Sequence, residues 1–294
     1  ELSIFLKKQN YSYLLIVDRV HATKKVDLKI NLKKYLDKNK INYLIIKSLS
    51  ELDFKKILKK NTIGLSINAI WKFPTEVIKL FDGKFFNYHA ADLPSERGGA
   101  NISWRILLNK KKGISINIHK IEKNFDTGDI VKTSKISITN KEKLPVQHLK
   151  KIRQKENKFL KQFIIDYILK KKFMKKKQKN LESFYWPKLK SDRDGQINWD
   201  WTAEEIVQFI RAFSKPYDGA FSYLGKIKVR IFNASFVKSK IKFHPFQNGL
   251  IFKFHKNSFY IASRSHYIKI STENIIGLKK NYFFYLGKRF LIYK

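Results

Sequence analysis

The chain has no cysteine among its 294 residues. That excludes disulfides, thiolate-held zinc or iron–sulfur centres, and a cysteine nucleophile. Glycine is scarce, at 12, and neither G-x-G-x-x-G nor G-x-x-x-x-G-K-[ST] occurs, so a phosphate-cradling loop has little support. H-E-x-x-H and G-x-S-x-G are absent as well. No apolar run approaches the ~18 residues of a membrane-spanning helix, and the opening residues carry no signal-peptide pattern, so a cytoplasmic location is expected. Acidic residues are few: 62 Lys and Arg stand against 24 Asp and Glu, for a net charge of +38. Arginine is scarce too, with nine of the 62 basic positions, leaving 53 Lys. Such a surplus normally points to a polyanionic partner. Here Lys, Ile, Asn and Phe are abundant together, as AT-rich coding would make them, and nucleic-acid readers favour Arg forks. The charge alone therefore identifies no partner.

Hydrophobic residues make up 43% and aromatics 15%, enough to bury a core in one large or two modest domains. Continuous apolar runs at Tyr13–Val17 and Tyr43–Ile46 read as strands buried on both faces, and Ile63–Ile67 and Phe85–Tyr88 read as a third and a fourth, short strand. Helical spacing falls between them, at Leu32–Asn39, Leu52–Lys60 and Pro74–Leu80, and again at Ser103–Leu108. Strands alternating with helices predict βαβ units and a parallel sheet. Ile114–Ile121 and Ile130–Ile138 alternate apolar and polar residues, which predicts half-exposed antiparallel strands at the sheet's end. A long helix is predicted over 145–169. The stretch Lys170–Lys179 holds seven lysines in ten positions and reads as a solvated linker or helix end, with an anion contact as the alternative. After a helix at Ala203–Phe213, short β-type runs (FSYL, KVRIF, GLIFKF, FYIA, YIKI, RFLIY) predict a small all-β domain, plausibly a barrel.

The stretch from Phe85 to Ile130 carries the chemistry. Asn87 and His89 are two apart at the end of a strand and project to the same side. In an open α/β sheet, ligands bind at the carboxyl ends of strands. Asp126 follows a later strand in an Asp-Thr-Gly-Asp turn. A single Asp-Thr-Gly lacks the second carboxylate of an aspartic protease. An amide can donate to a developing oxyanion, an imidazole can shuttle a proton near neutral pH, and a carboxylate can orient that imidazole. Such a set suits acyl transfer in which the substrate supplies the nucleophile. The plain alternative is a structural His and an ordinary Asp-Gly turn.

N-x-H-x-x-x-L-P-x-x-R-G, then a helix and D-x-G, resembles the folate-dependent formyltransferases. The matching positions are Asn87, His89, Leu93, Pro94, Arg97, Gly98, Trp104, Asp126 and Gly128. The resemblance covers most of residues 11–225 and continues more weakly to the end. It implies an α/β, Rossmann-like, mostly parallel sheet followed by a small OB-like β-barrel, divided as 1–180 and 181–294. It implies Asn87 as oxyanion donor, His89 as the proton-transferring group and Asp126 as the residue that holds and polarises His89. N10-formyltetrahydrofolate would be the formyl donor, with no metal. The loop Trp71-Lys72-Phe73 and the segment Glu122, Lys123, Asn124, Phe125 and Asp126 would receive the folate, the latter through its backbone. Core packing is the competing role for Trp71 and Phe73. His119 is expected to support rather than catalyse.

Three positions depart from the family pattern: Ala91 where Ser is common, Asp92 in place of the first Leu of Leu-Leu-Pro, and Asn101 where Pro is frequent. The family's first strand, with its small glycine-containing turn, has no counterpart before Glu1. That strand is central in a doubly wound sheet, so a gap or rearrangement is expected between the strands at Tyr13 and Ile63, with lower stability and weak folate affinity. The favoured acceptor is a small molecule, a nucleotide-linked amino sugar. The segment Lys215–Phe221 resembles the sugar-modifying branch, and the loop Asp18–Ile30 is short and lacks an Arg- and Gly-rich run. Methionyl-tRNA is the alternative, on the strength of the net charge, the lysine stretch and the OB-like domain. A homodimer stays open.

Overall fold

The computed structural model describes residues 1–26, 30–110 and 113–291. The chain runs α1 (Leu2–Lys8), β1 (Leu15–Asp18), α2 (Leu32–Lys38), β2 (Tyr43–Ile46), β3 (Gly64–Ile67), α3 (Thr75–Leu80), β4 (Phe85–His89), α4 (Asn101–Leu107), β5 (Ile114–Lys120), β6 (Ile130–Ile136), α5 (Pro145–Ile168), α6 (Ala203–Ala212) and then a set of short strands. The helix predicted over Leu52–Lys60 shrinks to one turn, Phe54–Ile57. Asp53 caps that turn through the Lys55 and Lys56 N–H groups, and Leu58 is already extended. Two compact units form: Glu1–Arg97 with Ile114–Ile136 and Ile152–Tyr185, and Gly98–Gly113 with Ser137–Lys151 and Trp186–Lys294.

In the first unit β1 and β2 pair in parallel, and Val17, Ala22, Leu36 and Ile41 close a core beneath them. A second sheet has the order β3-β4-β5-β6, parallel between β3 and β4 and antiparallel thereafter, so it ends in antiparallel strands as the alternation predicts. The two parallel pairs belong to separate sheets, with no pairing among the described residues between β1 and β3. That is the gap expected between the strands at Tyr13 and Ile63. Asp18 at the end of β1 and Val20 just after it share a cleft of about 410 Å³ with Ile70 beyond β3. Residues 27–29 of the loop Asp18–Ile30 lie outside the described residues.

The second sheet divides its labour by parity. Ile114, Ile116 and Ile118 are buried to 1% exposure or less. Phe86 and Tyr88 share their face and meet Phe163 and Phe159 of α5, with ring centroids 5.3 and 6.4 Å apart. Each such burial contributes about 1.5–3 kcal/mol. The residues between them, Asn87, His89, Asn117 and His119, take the other face. After α5 the lysine stretch is not a free linker. Lys176 exchanges both backbone hydrogen bonds with Ile130, at 2.9 and 3.0 Å, and Phe173 packs on Phe163. Its lysines are exposed, as a solvated face requires.

In the second unit α6 opens with a capping box between Thr202 and Glu205 and buries Ile206, Val207, Phe209 and Ile210. Gln208 donates to the carbonyls of Ile106 and Leu107 at the end of α4, and Ser103 Oγ donates to the Ala212 carbonyl. The predicted small barrel takes the form of two four-stranded antiparallel sheets. One carries Ala220–Leu224 and Ile227–Ile231 at its centre, the other Ser258–Ala262 and Tyr267–Ser271. A bridge between Leu250 and Arg289 joins them at one edge. The last predicted strand, RFLIY, is described only over Phe290–Leu291, since residues 292–294 lie outside the described residues.

Candidate active site

The site is assembled on the polar face of the β3-β4-β5-β6 sheet. Antiparallel pairing sets Asn87 opposite His119 and His89 opposite Asn117. Direct partners lie on the same face, so four polar side chains stand side by side. A register shift between Ile118 and His119 leaves one extra residue on β6, a β-bulge next to the site. Beyond β5 the chain turns sharply. Asp126 is in the left-handed region, at φ 55°. A Cβ on Gly128 would lie 2.1 Å from the Lys120 carbonyl oxygen, so only glycine fits there.

The turn brings Asp126 to both histidines. Its Oδ2 is 3.7 Å from His89 Nδ1, and its Oδ1 is 3.2 Å from His119 Nε2. The Asn87 amide nitrogen is 3.2 Å from Asp126 Oδ1 and 3.2 Å from His119 Nε2. The three groups expected from the sequence therefore meet, with His119 as a fourth member.

Two contacts fix the protonation pattern. His89 Nε2 is 2.7 Å from the Glu96 carbonyl oxygen. A carbonyl only accepts, so Nε2 carries hydrogen and Nδ1, facing Asp126, holds the lone pair of the neutral ring. By the same argument His119 Nδ1, 2.7 Å from the Lys120 carbonyl, carries hydrogen, and its Nε2 accepts from Asn87. His89 is only 7% exposed and His119 1%.

The supporting frame is polar and buried. The Glu96 carboxylate accepts the Asp92 N–H at 3.1 Å, and Asp92 Oδ1 accepts the Ser115 N–H at 2.8 Å. Asn117 donates to the Ala91 carbonyl at 2.6 Å. Ala91 is fully buried, so the position where the family commonly has Ser lies inside this frame. Burial draws the Arg97 guanidinium below its ordinary value, and the nearby charges of Asp126 and Glu122 counter it. Glu96 and Asn117 escaped the sequence reading. A main-chain carbonyl has no sequence signature, and Asn117 was legible only as the alternating polar partner of His119.

The two expected folate segments differ in character. Trp71 Nε1 is buried and has no hydrogen-bond partner, an orphan donor of the kind a ligand satisfies. Lys72 is exposed, with Nζ 5.8 Å from the ring of Phe125. Phe73 instead packs on Phe85 at 4.7 Å and joins the core of Phe54, Phe81 and Phe85. Glu122, Lys123, Asn124 and Phe125 are all exposed. The ring of Phe125 lies 6.1 Å from that of Tyr185. Among the described residues no group of three or more His, Asp or Glu is placed to hold a metal ion. No helix among them is long and apolar enough to cross a membrane.

The N-terminal domain model of the formyl transferases matches residues 24–164, and the model of their C-terminal domain matches 190–281. The bifunctional polymyxin resistance protein ArnA of Wigglesworthia glossinidia brevipalpis is 28% identical over 98% of this chain. The chain spans 44% of that relative's length. An N-formyltransferase from Helicobacter canadensis, solved with folinic acid and dTDP-3-aminofucose, superposes with a TM-score of 0.66 at 21% identity, covering 92% of this chain and 93% of its own. A methionyl-tRNA formyltransferase from Clostridium thermocellum gives 0.52 at 24% identity, covering 77% and 94%. With both domain models matched in order along the polypeptide, the chain belongs to the formyl transferase family.

Proposed function

We propose that this chain catalyses transfer of a formyl group from N10-formyltetrahydrofolate to a primary amine on a nucleotide-linked amino sugar. The balanced reaction is R–NH2 plus N10-formyltetrahydrofolate giving R–NH–CHO plus tetrahydrofolate. The donor supplies an activated one-carbon unit at N10. The chain's residues supply proton handling and orientation. His89 Nδ1 takes a proton as the amine forms its new bond, and the Asp126 carboxylate at 3.7 Å stabilises the resulting imidazolium. The same proton is then available for the departing N10. The Glu96 carbonyl keeps the ring from turning while this happens.

Asn87 needs one change to act as a donor. Both its amide hydrogens are directed inward, to Asp126 Oδ1 and His119 Nε2. Release of either contact frees an Asn87 N–H for the formyl oxygen. Trp71 and the backbone of Glu122–Phe125 would hold the folate, and Lys72 lies beside that segment. The single observation carrying this reading is the approach of the Asp126 carboxylate to within 3.7 Å of Nδ1 of a histidine whose other ring nitrogen is held by the Glu96 carbonyl.

An amino-sugar acceptor is supported by the Lys-Pro-Tyr-Asp-Gly-Ala-Phe segment at 215–221 and by the sugar nucleotide in the Helicobacter relative. The catalytic domain is assigned to 1–180 and the second domain to 181–294. A formylation assay with N10-formyltetrahydrofolate decides the acceptor. Formylation of dTDP- or UDP-linked amino sugars is expected; formylation of charged initiator tRNA alone would overturn the choice. Binding that falls steeply with salt would also favour the polynucleotide.

A further inference from the structure

Gln178 sits inside the lysine-rich stretch and plays no part in the chemistry above. Its side chain nevertheless spans the site's frame. Oε1 accepts from Arg97 Nε at 3.2 Å and from Nη2 at 3.1 Å. Nε2 donates to the carbonyl of Asp126 at 2.8 Å and to that of Gly128 at 2.7 Å. An amide offers two hydrogens and two lone-pair sites. All four are used here, on two segments that flank the reacting groups.

The backbone leading into Gln178 is fixed at two points. Lys176 pairs with Ile130 at the start of β6, and Phe173 lies against Phe163 and Tyr167. What the amide grips is a turn under strain. Asp126 has positive φ, which costs a non-glycine residue about 1–2 kcal/mol unless the surroundings hold it. No other common side chain suits this place. A carboxylate has no hydrogen for two carbonyls. A cation would face Arg97 with like charge. A neutral amide alone meets a guanidinium on one side and paired carbonyls on the other.

We propose that Gln178 is a positioning residue: it locks the Asp126 turn and so sets the Asp126 carboxylate against His89 and His119. This inference rests on the formyl-transfer reading, and its test separates the two. Two variants are compared with the wild-type chain. Gln178→Leu removes both sets of hydrogen bonds. Gln178→Glu keeps an acceptor for Arg97 but loses the donors to the two carbonyls. In both variants hydrogen exchange of the amides at 124–128 is expected to rise on the order of 10-fold, while α6 is unchanged. With N10-formyltetrahydrofolate and dTDP-3-aminofucose as probes, kcat is expected to fall ~10–100-fold. The KM for the amino sugar should stay within about threefold, because a general loosening would raise it as well. Unchanged exchange at the turn overturns the proposal. Faster exchange with kcat intact overturns it too, as does a fully active Gln178→Glu. A wild-type chain inert toward that acceptor sinks the amino-sugar reading instead, and the exchange comparison then decides on Gln178 by itself.

Discussion

His89 gives its Nε2 hydrogen to the main-chain carbonyl of Glu96 at 2.7 Å, so only Nδ1 is left to take a proton. This makes a sharp distinction between replacements. In His89→Gln the side-chain amide nitrogen reaches the place of Nε2 and keeps the bond to Glu96, but nothing replaces Nδ1. The variant should keep a wild-type melting temperature and lose ~10²–10⁴ in turnover. Retained turnover in His89→Gln would show that the reacting nitrogen is wrongly assigned.

Gly128→Ala drives a methyl group to 2.1 Å from the Lys120 carbonyl oxygen, a backbone atom that cannot step aside. The turn must open, at a cost of about 1–3 kcal/mol or more. Turnover should fall further than stability, because the displaced residue is Asp126. Thermal melting and kcat measured on the same preparation check this; a variant with normal kcat would mean the turn tolerates movement.

Trp71→Phe keeps an aromatic ring but removes an indole N–H that is buried without a partner. If that hydrogen meets the folate, affinity for folinic acid drops ~5–10-fold, the worth of one hydrogen bond. Calorimetric titration reads it directly. Equal affinities would assign Trp71 to packing.

Asp166 is held well below the usual carboxylate range by hydrogen bonds from Lys132 at 2.6 Å, then Gln162 and Lys171. A carboxyl whose folded value lies below its unfolded value, ~3.9, stabilises at neutral pH and loses that effect as pH falls. Asp166→Asn should therefore melt ~2–4 °C lower at pH 7. The deficit should shrink progressively below about pH 4. A deficit that is the same at pH 3 and pH 7 would rule out the ionic origin.

Local pattern carried much of this molecule. Tyr43–Ile46 reads as a strand because four apolar residues in a row suit a pleated ribbon; the strand is observed, but Leu44 is exposed, so the ribbon is not covered on both sides. The spacing of Asn87 and His89 gave their common face for the same reason. Failures occurred where a distant partner decides. Leu52–Lys60 has helical spacing, but the cap at Asp53 and the extended Leu58 leave one turn. Phe73 had two roles open to it by position, folate contact and core packing, and its ring packs on Phe85 in the core. Gln178 was hidden among lysines, since its orientation depends on pairing with Ile130, nearly fifty positions earlier. The tautomer of His89 depends on a peptide oxygen, which no residue name reveals.

The odd-numbered positions 87, 89, 117 and 119 carry the polar side chains of the candidate site, and the even-numbered positions 86, 88, 116 and 118 carry the buried apolar ones. One added or deleted residue in either strand would exchange the two sets, placing imidazoles in oil and isoleucines in the cleft. Reactivity and shelter are thus written in a single reading frame of the pleat, and a lineage can alter the side chains of this sheet far more easily than the length of its strands.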